Sequence, residues 1–198
     1  MKKLSKNSPK VLGLDVSTKT IGWSLFDLQN KELLELTHIS PKVNIDEDKN
    51  KILLLKSDVF KEKLLGYVDM GITKVVIEEP LLNSNNVYTI STLMRFNSYI
   101  SKIIYDELKI VPDFISTYES RSLGFPELVR KNKNGKFVLF GGFPKTIDKK
   151  KIIWDLVSRN EPQITWLYNK RNVLKKECFD MSDAYTCVLG QMKKLKIW

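Results

Sequence analysis

Four acidic side chains stand where a metal-dependent site is expected to form. Asp15 ends a short apolar run at 11–15 (VLGLD), and Glu78 ends another at 74–78 (KVVIE). Asp180 and Asp183 lie three residues apart, so a helix presents both on one face. An acid at the end of a buried strand costs free energy unless it is paired, solvated or bound to a metal. Because α/β folds place their sites at the carboxyl ends of parallel strands, we expect the acids to converge there.

The residue types favour magnesium over zinc. Mg²⁺ prefers carboxylate oxygens, and two such ions about 3.5–4 Å apart can activate a water and stabilise the leaving oxygen of a phosphodiester. His38 is the only histidine, and Cys178 and Cys187 are the only cysteines, so a zinc site would lack ligands. Without metal, the clustered acids would raise one another's pKa and weaken the fold locally.

Each acid also has a structural interpretation, which the sequence leaves open. Asp15 is a common turn former after a strand. Glu78 and Glu79 could form a solvated pair. Asp180 could cap a helix N-terminus, with Asp183 at the third helical position. The occurrence of all four acids in this order favours a shared site.

The elements that must position the acids alternate in type along the chain. Strands are predicted at 11–17, 21–27 and 33–39 as an antiparallel meander, then at 74–78 and 111–117. Helices are predicted at 51–70, 90–108, 147–158 and 180–193. This order indicates an α/β fold in which helices flank a mixed five-stranded sheet.

The charge distribution points to a polyanionic partner. The chain of 198 residues has a length suited to one domain, and its net charge is +10. Residues 126–198 hold 16 Lys and Arg against 7 Asp and Glu, so nearly all of the excess lies there. A solvated lysine-rich surface is the alternative. Clustering of the charge favours nucleic acid.

A segment at about 124–145 has the composition of an insertion. It is rich in glycine, contains two prolines and carries five positive charges, on Arg130, Lys131, Lys133, Lys136 and Lys145. Such a segment is expected to form a loop or a hairpin on the surface.

The expected location is intracellular and soluble. No apolar run approaches the roughly 18–20 residues that span a bilayer, and no apolar core follows the basic residues 1–10. Two cysteines suit a reducing compartment. We expect the cytoplasm, the nucleoid, or the host-cell compartment where viral DNA replicates.

Three motifs resemble the RuvC-type Holliday junction resolvases of the RNase H-like (retroviral integrase) superfamily. They are LGLDVSTKTIGW at 12–23, VVIEEP at 75–80 and DMSDAY at 180–185. The resemblance covers most of the chain and implies a single RNase H-like nuclease domain over 1–198. In RNase H proper the second acid lies on a helix, whereas here it ends a strand.

The resemblance implies a structure-selective endodeoxyribonuclease that resolves four-way DNA junctions by paired nicks. Asp15, Glu78, Asp180 and Asp183 would bind two Mg²⁺ ions, with Mn²⁺ as a substitute, and direct water onto the phosphodiester. RuvC relatives act as symmetric dimers, so a homodimer is expected. An apolar stripe on the 90–108 helix is the candidate interface, or else ordinary core.

The resemblance also assigns basic residues. Lys149 falls where these enzymes carry a catalytic basic residue near the scissile phosphate, with Lys150 as the alternative, and Arg121 matches a substrate-contacting position. The expected DNA-binding set is Arg121, Lys150, Lys151, Arg130, Lys131, Lys133 and Lys136.

The chain departs from the family pattern at three places. D-P-G after the first acid is D-V-S here, and the 124–145 segment is extra relative to bacterial RuvC. Leu81 stands where the family has an aromatic wedge, for which Tyr88 or Phe96 could substitute. These departures suggest a viral or phage-type member.

Three other functions remain as alternatives. A related RNase H-like nuclease would act on RNA, hybrids or flaps. A non-catalytic nucleic-acid-binding protein would keep the fold alone, which the intact set of acids disfavours. An actin-like kinase needs two duplicated domains, and this chain has room for one.

Overall fold

A computed structural model describes residues 8–44, 46, 48–80 and 86–198. Its strands are β1 Lys10–Val16, β2 Ile21–Asp27, β3 Glu32–Ile39, β4 Ile72–Glu78, β5 Asp113–Ile115, β6 Val129–Lys131 and β7 Phe137–Leu139. Its helices are α1 Lys49–Leu65, α2 Val87–Leu108, α3 Thr117–Gly124, α4 Lys149–Asn160 and α5 Glu177–Lys194. Within these described ranges, every helix is too short or too polar to cross a bilayer.

The main sheet confirms the predicted fold class. Its strand order is β3-β2-β1-β4-β5, with antiparallel pairing on the β3 side and parallel pairing of β1 with β4 and of β4 with β5. Leu14 pairs with Ile77, so Asp15 and Glu78 follow neighbouring residues at the same sheet edge. β6 and β7 form a separate two-stranded hairpin inside the predicted insertion.

The sheet separates two apolar layers because alternate strand residues face opposite sides. Leu12 and Leu14 face the layer formed with α1 and α2. Val11 and Val76 face the layer that includes α4 and α5. Asp15 lies four residues after Val11 in β1, and Glu78 lies two residues after Val76 in β4. Residues separated by an even number share a face of the strand. Both acids therefore lie on the α5 side of the sheet.

Helix α5 lies against the sheet at backbone contact distance. A Cβ atom at Gly22 would collide with the Asp180 carbonyl, and one at Gly13 would collide with Val188 and the Ala184 carbonyl. The Ser24 hydroxyl donates a hydrogen bond of 2.8 Å to the same Ala184 carbonyl. These contacts set the height of α5 above β1 and β2.

The predicted strand at 111–117 is wrong in extent. β5 covers only Asp113–Ile115, and α3 begins at Thr117. The side chain of Ser116 caps α3 by accepting a hydrogen bond from Glu119 N–H, and the Ser116 hydroxyl donates to the Glu119 carboxylate. This S-x-x-E sequence has the spacing of a capping box, a helix signal that outweighs the local strand propensity. The predicted helix 51–70 likewise ends early, at Leu65, where Gly66 caps it.

The stripe on α2 belongs mostly to the core, as the second interpretation held. Ile104 is fully buried, and Tyr99 and Ile103 pack against the apolar layer of α1. Met94 is the exception, with half of its surface exposed. The stripe therefore leaves little apolar surface for a partner on its own.

Candidate metal centre and nucleic-acid interface

Three acids from distant parts of the chain meet at one edge of the sheet. Asp15 comes from the end of β1, Glu78 is the last residue of β4, and Asp183 lies in the second turn of α5. Each offers a carboxylate oxygen, and the three oxygens lie within 4.8 Å of one another. The adjacency of β1 and β4, together with the close seating of α5, produces this convergence.

The acids repel one another in a poorly solvated setting. Burial, reinforced by Glu78 and Asp183, raises the pKa of Asp15 well above its usual range. Burial and Asp183 raise the pKa of Glu78 to about 7, although Thr117, Arg121 and Lys150 counteract them. The cluster therefore favours a bound cation at neutral pH.

Asp180 lies at the margin of this trio. Its Oδ1 lies 3.7 Å from Lys150 Nζ, on the side where the site opens. Burial raises its pKa to about 6, although Lys150 lowers it. The interpretation of Asp180 as a helix cap is wrong, because Lys176 is the N-cap of α5 and Asp180 lies inside the first turn.

Two basic side chains reach the acids. Arg121 of α3 donates a hydrogen bond of 2.8 Å to Asp183 Oδ1, and Lys150 Nζ lies 3.6 Å from Asp183 Oδ2. Burial disfavours the charge on each, but Asp183 and its neighbours outweigh burial and raise both pKa values. Both residues therefore stay cationic beside the acids.

Lys149, the first choice for the catalytic lysine, points elsewhere. Its Nζ lies 5.6 Å from the centre of the Phe140 ring, next to the β6–β7 hairpin. Asp148 caps α4 by accepting a hydrogen bond from Lys151 N–H, which fixes the phase of the following residues. The lysine that the structure brings to the acids is therefore Lys150, the alternative.

Two residues that sequence reasoning missed contact Glu78. The Thr117 hydroxyl donates a hydrogen bond to Glu78 Oε1, and the Cys187 thiol lies 3.9 Å from Oε2 on the other side. Cys187 is fully buried, and burial together with Glu78 raises the pKa of its thiol. Nothing in the local sequence marks Thr117, because its role depends on the strand-to-helix turn between β5 and α3.

The donor set suits a hard divalent cation. All three converging ligands are carboxylates, the preferred ligands of Mg²⁺ and Mn²⁺. The raised pKa values of Asp15 and Glu78 indicate that the surrounding protein alone does not neutralise the cluster. Asp15, Glu78 and Asp183 could therefore hold such an ion, and Asp180 lies beside them, on the other side of Lys150 Nζ.

A cleft with four lysines and three acids in its wall adjoins the acid site. It has a volume of about 660 Å³ and includes Asp180 and Lys150 in its wall. Three further lysines, Lys19, Lys42 and Lys176, also line it, together with Asp148 and Glu177. Ser17 contributes mainly to the turn beside it, since its hydroxyl donates to the Thr20 carbonyl and accepts from Thr20 N–H. The cleft offers positive charge to an anionic chain that passes the acids.

The predicted insertion presents its charges to solvent. Four of its basic residues lie on the β6–β7 hairpin and are exposed, namely Arg130, Lys131, Lys133 and Lys136. Arg130 lies over the Phe143 ring and Lys131 over the Phe137 ring. Phe140 anchors the hairpin base in the core. Lys151 is separate, on a face of α4 beside Trp154.

The candidates for an aromatic wedge fare differently. Leu81 lies outside the described residues. Phe96 is fully buried in the α1–α2 layer, so its proposed substitution for the wedge is wrong. Tyr88, in the first turn of α2, has 55% of its surface exposed, with Lys49 above its ring. Of these two aromatic residues, only Tyr88 is accessible to an external molecule.

Comparison with solved structures identifies the fold. The structure of Thermus thermophilus RuvC superposes with a TM-score of 0.57 at 11% identity, covering 94% of this chain and 95% of that one. T. thermophilus RuvC in complex with a Holliday junction substrate gives a TM-score of 0.58 at 8% identity, covering 94% of each chain. The sequence itself matches no family model and no curated protein. The chain therefore has a RuvC-type fold.

Proposed function

We propose, for this chain of RuvC-type fold, that it is a Mg²⁺-dependent endonuclease that resolves four-way DNA junctions by paired nicks. The observation that carries the proposal is the convergence of Asp15, Glu78 and Asp183 at the edge of a sheet with this topology. The four lysines of the cleft beside the acids and the structural likeness to a resolvase bound to a junction support DNA as the substrate. On this proposal the whole chain, 1–198, is one nuclease domain with a basic insertion.

The acids hold the metal in this proposal. Asp15, Glu78, Asp180 and Asp183 bind two Mg²⁺ ions, for which Mn²⁺ substitutes. Bound Mg²⁺ supplies an activated water and stabilises the charge on the leaving oxygen of the phosphodiester. Thr117 keeps the Glu78 carboxylate oriented toward the other acids, and Arg121 does the same for Asp183.

The basic residues hold the DNA strand. Lys150 is close to the acids yet half-exposed, so its ammonium group can reach a phosphate oxygen at the reacting position. Lys149 and Lys151 flank it at the start of α4, and the β6–β7 hairpin adds Arg130, Lys131, Lys133 and Lys136. Phosphate contacts of this kind supply affinity without reading sequence.

Paired nicks require two active sites, and we propose a homodimer to supply them. An apolar groove of about 720 Å³ lies between α2 and the residues around β5, with Met94, Tyr105, Val111 and Phe114 in its wall and each substantially exposed. A two-fold dimer suits a pseudo-symmetric junction. Sedimentation of the wild type should give a dimer, and Met94→Glu should shift it toward monomer. A monomeric wild type would contradict this part of the proposal and favour a nuclease for RNA, hybrids or flaps.

Cleavage of synthetic substrates tests the activity. With Mg²⁺, the wild type should cut a four-way junction faster than three-way, flap or linear DNA, and chelation should stop the reaction. Asp15→Asn and Glu78→Gln should each abolish cutting. Undiminished cutting by both variants would end the assignment of the acids. Equal cutting of linear duplex would keep the chemistry and remove the substrate claim.

A further inference from the structure

We infer that a second basic element, formed by residues 167–175 and called the 167–175 hairpin below, contacts the DNA backbone beside the acids of the proposed metal site. It lies outside the insertion and outside every motif that resembles the resolvases. The inference rests on the proposed nuclease function and adds a binding surface to it.

The 167–175 hairpin has a defined shape. Tyr168 and Leu174 form an antiparallel bridge, and Lys175 N–H donates a hydrogen bond of 2.9 Å to the Leu167 carbonyl. At the tip, Asn169 Oδ1 accepts hydrogen bonds from Arg171 N–H at 2.8 Å and Val173 N–H at 3.0 Å. The backbone of the tip is therefore ordered without any contribution from the basic side chains.

The stem of the hairpin is attached to the helix that carries two of the acids. Leu167 N–H donates a hydrogen bond of 3.3 Å to Cys178 Sγ, in the first turn of α5. Cys178 precedes Asp180 by two residues. On the other side, Trp166 packs edge-on against Trp154 of α4 at 5.8 Å. The hairpin is thus held between the two helices that supply Asp180 and Lys150.

The charge of this segment is of one sign. Residues 162–176 include four Lys and Arg and no Asp or Glu. Lys170 and Arg171 are exposed at the tip, and neither forms a salt bridge to another residue in the described part of the chain. At the base, Lys176 lines the same cleft as Lys150. Lys170 and Arg171 are therefore available to an external anion.

The chemistry fits a nucleic-acid backbone. Closely spaced Lys and Arg side chains on an ordered turn bind phosphates, and most protein–DNA hydrogen bonds go to the backbone. Tyr168, with 46% of its surface exposed, offers an amphipathic ring beside them. Lys176, next to the hairpin in sequence, connects the segment to the cleft beside the acids.

A charge-matched pair of double variants tests the inference. Lys170→Gln with Arg171→Gln removes two charges from the tip. Lys31→Asn with Lys61→Gln removes two charges at the other end of the sheet, in the β2–β3 turn and late in α1. Lys31 has a positive φ of 56°, which asparagine tolerates, and the Lys61 ion pair with Glu107 is on the surface. Both variants should therefore fold, as thermal unfolding can verify.

The readout is the affinity for a four-way junction as a function of salt, measured in Ca²⁺ to prevent cutting. The tip variant should bind about 5–30-fold more weakly at physiological salt and reduce the slope of log K against log salt by about 1.8. The control variant should bind like the wild type. Equal losses in both variants, or none in the tip variant, would overturn the inference. A wild type that binds but never cuts would overturn the nuclease proposal alone, whereas one that does not bind DNA would overturn both.

Discussion

The acid site and the two basic hairpins are built in opposite ways. Asp15, Glu78 and Asp183 sit on long elements of the main fold, shielded from solvent and contacted by partners. The charges of the β6–β7 hairpin and the 167–175 hairpin stand on short exposed hairpins. On the proposed function, this difference assigns catalysis and affinity to different parts of the chain. They should therefore be separable by mutation.

The largest expected effect lies in the acid site. Asp183→Asn should lower single-turnover cleavage of a junction by at least about 100-fold, because a metal ligand matters more than the groups that orient it. Junction binding in Ca²⁺ should stay within a few-fold of wild type. Asp180→Asn, at the margin of the site, should lose less activity. If Asp183→Asn lost junction binding to the same extent as cleavage, the acid site and the basic hairpins would not have separate roles.

The next effect lies in the β6–β7 hairpin. Replacing Lys131, Lys133 and Lys136 by Gln should weaken junction binding about 10–100-fold at physiological salt and reduce the salt slope by roughly 2.7. At saturating protein the cleavage rate should return to that of the wild type. A rate that stays low at saturation would place the hairpin in the chemistry as well.

A smaller effect is expected at Thr117, which orients Glu78 through its hydroxyl. Thr117→Val should weaken Mn²⁺ binding in calorimetry and lower kcat about 10-fold, because groups that orient ligands typically contribute this much. Thr117→Ser keeps the hydroxyl and should restore both values. Equal behaviour of the Val and Ser variants would show that the hydrogen bond is irrelevant.

The smallest effect concerns stability without metal. Burial and Asp183 raise the pKa of Glu78 to about 7, so its ionisation opposes folding at pH 8. Glu78→Gln should then raise the free energy of unfolding in EDTA by about 1–3 kcal/mol at pH 8, and by less at pH 5, where Glu78 is protonated in the folded protein. Mn²⁺ should stabilise the wild type more than the variant. Urea unfolding at the two pH values measures this free energy. If Glu78→Gln left the stability at pH 8 unchanged, ionised Glu78 would not destabilise the metal-free fold.

The framework of the acid site was accessible from sequence because periodicity encodes it. The apolar runs before Asp15 and Glu78 alternate or continue as buried strands do, and the sheet formed as predicted from them. The spacing of Asp180 and Asp183 placed both on α5. These signals depend only on the spacing of residues within a short stretch of sequence. They can therefore be read without knowledge of the tertiary structure.

Orientation around the site was not accessible in the same way. Lys149, Lys150 and Lys151 are chemically identical, and only the phase of α4 against α5 decides which one reaches the acids. Thr117 contacts Glu78 because β4 and β5 pair side by side, a long-range relation. The α3 capping box, in contrast, was a local signal and would have revealed that helix.

The missing side chain of Gly22 has a consequence for how the chain tolerates change. Because α5 rests on bare backbone there, no neighbouring residue can adapt to an added methyl group, and the helix would have to lift away with Asp180 and Asp183. At most core positions, neighbouring side chains can repack around a substitution. At Gly22 the neighbouring atoms belong to the backbone of α5 and cannot repack in this way. Over evolutionary time we expect Gly22 to be retained as long as Asp180 and Asp183 are needed for function. Once they are no longer needed, we expect other residues to replace Gly22.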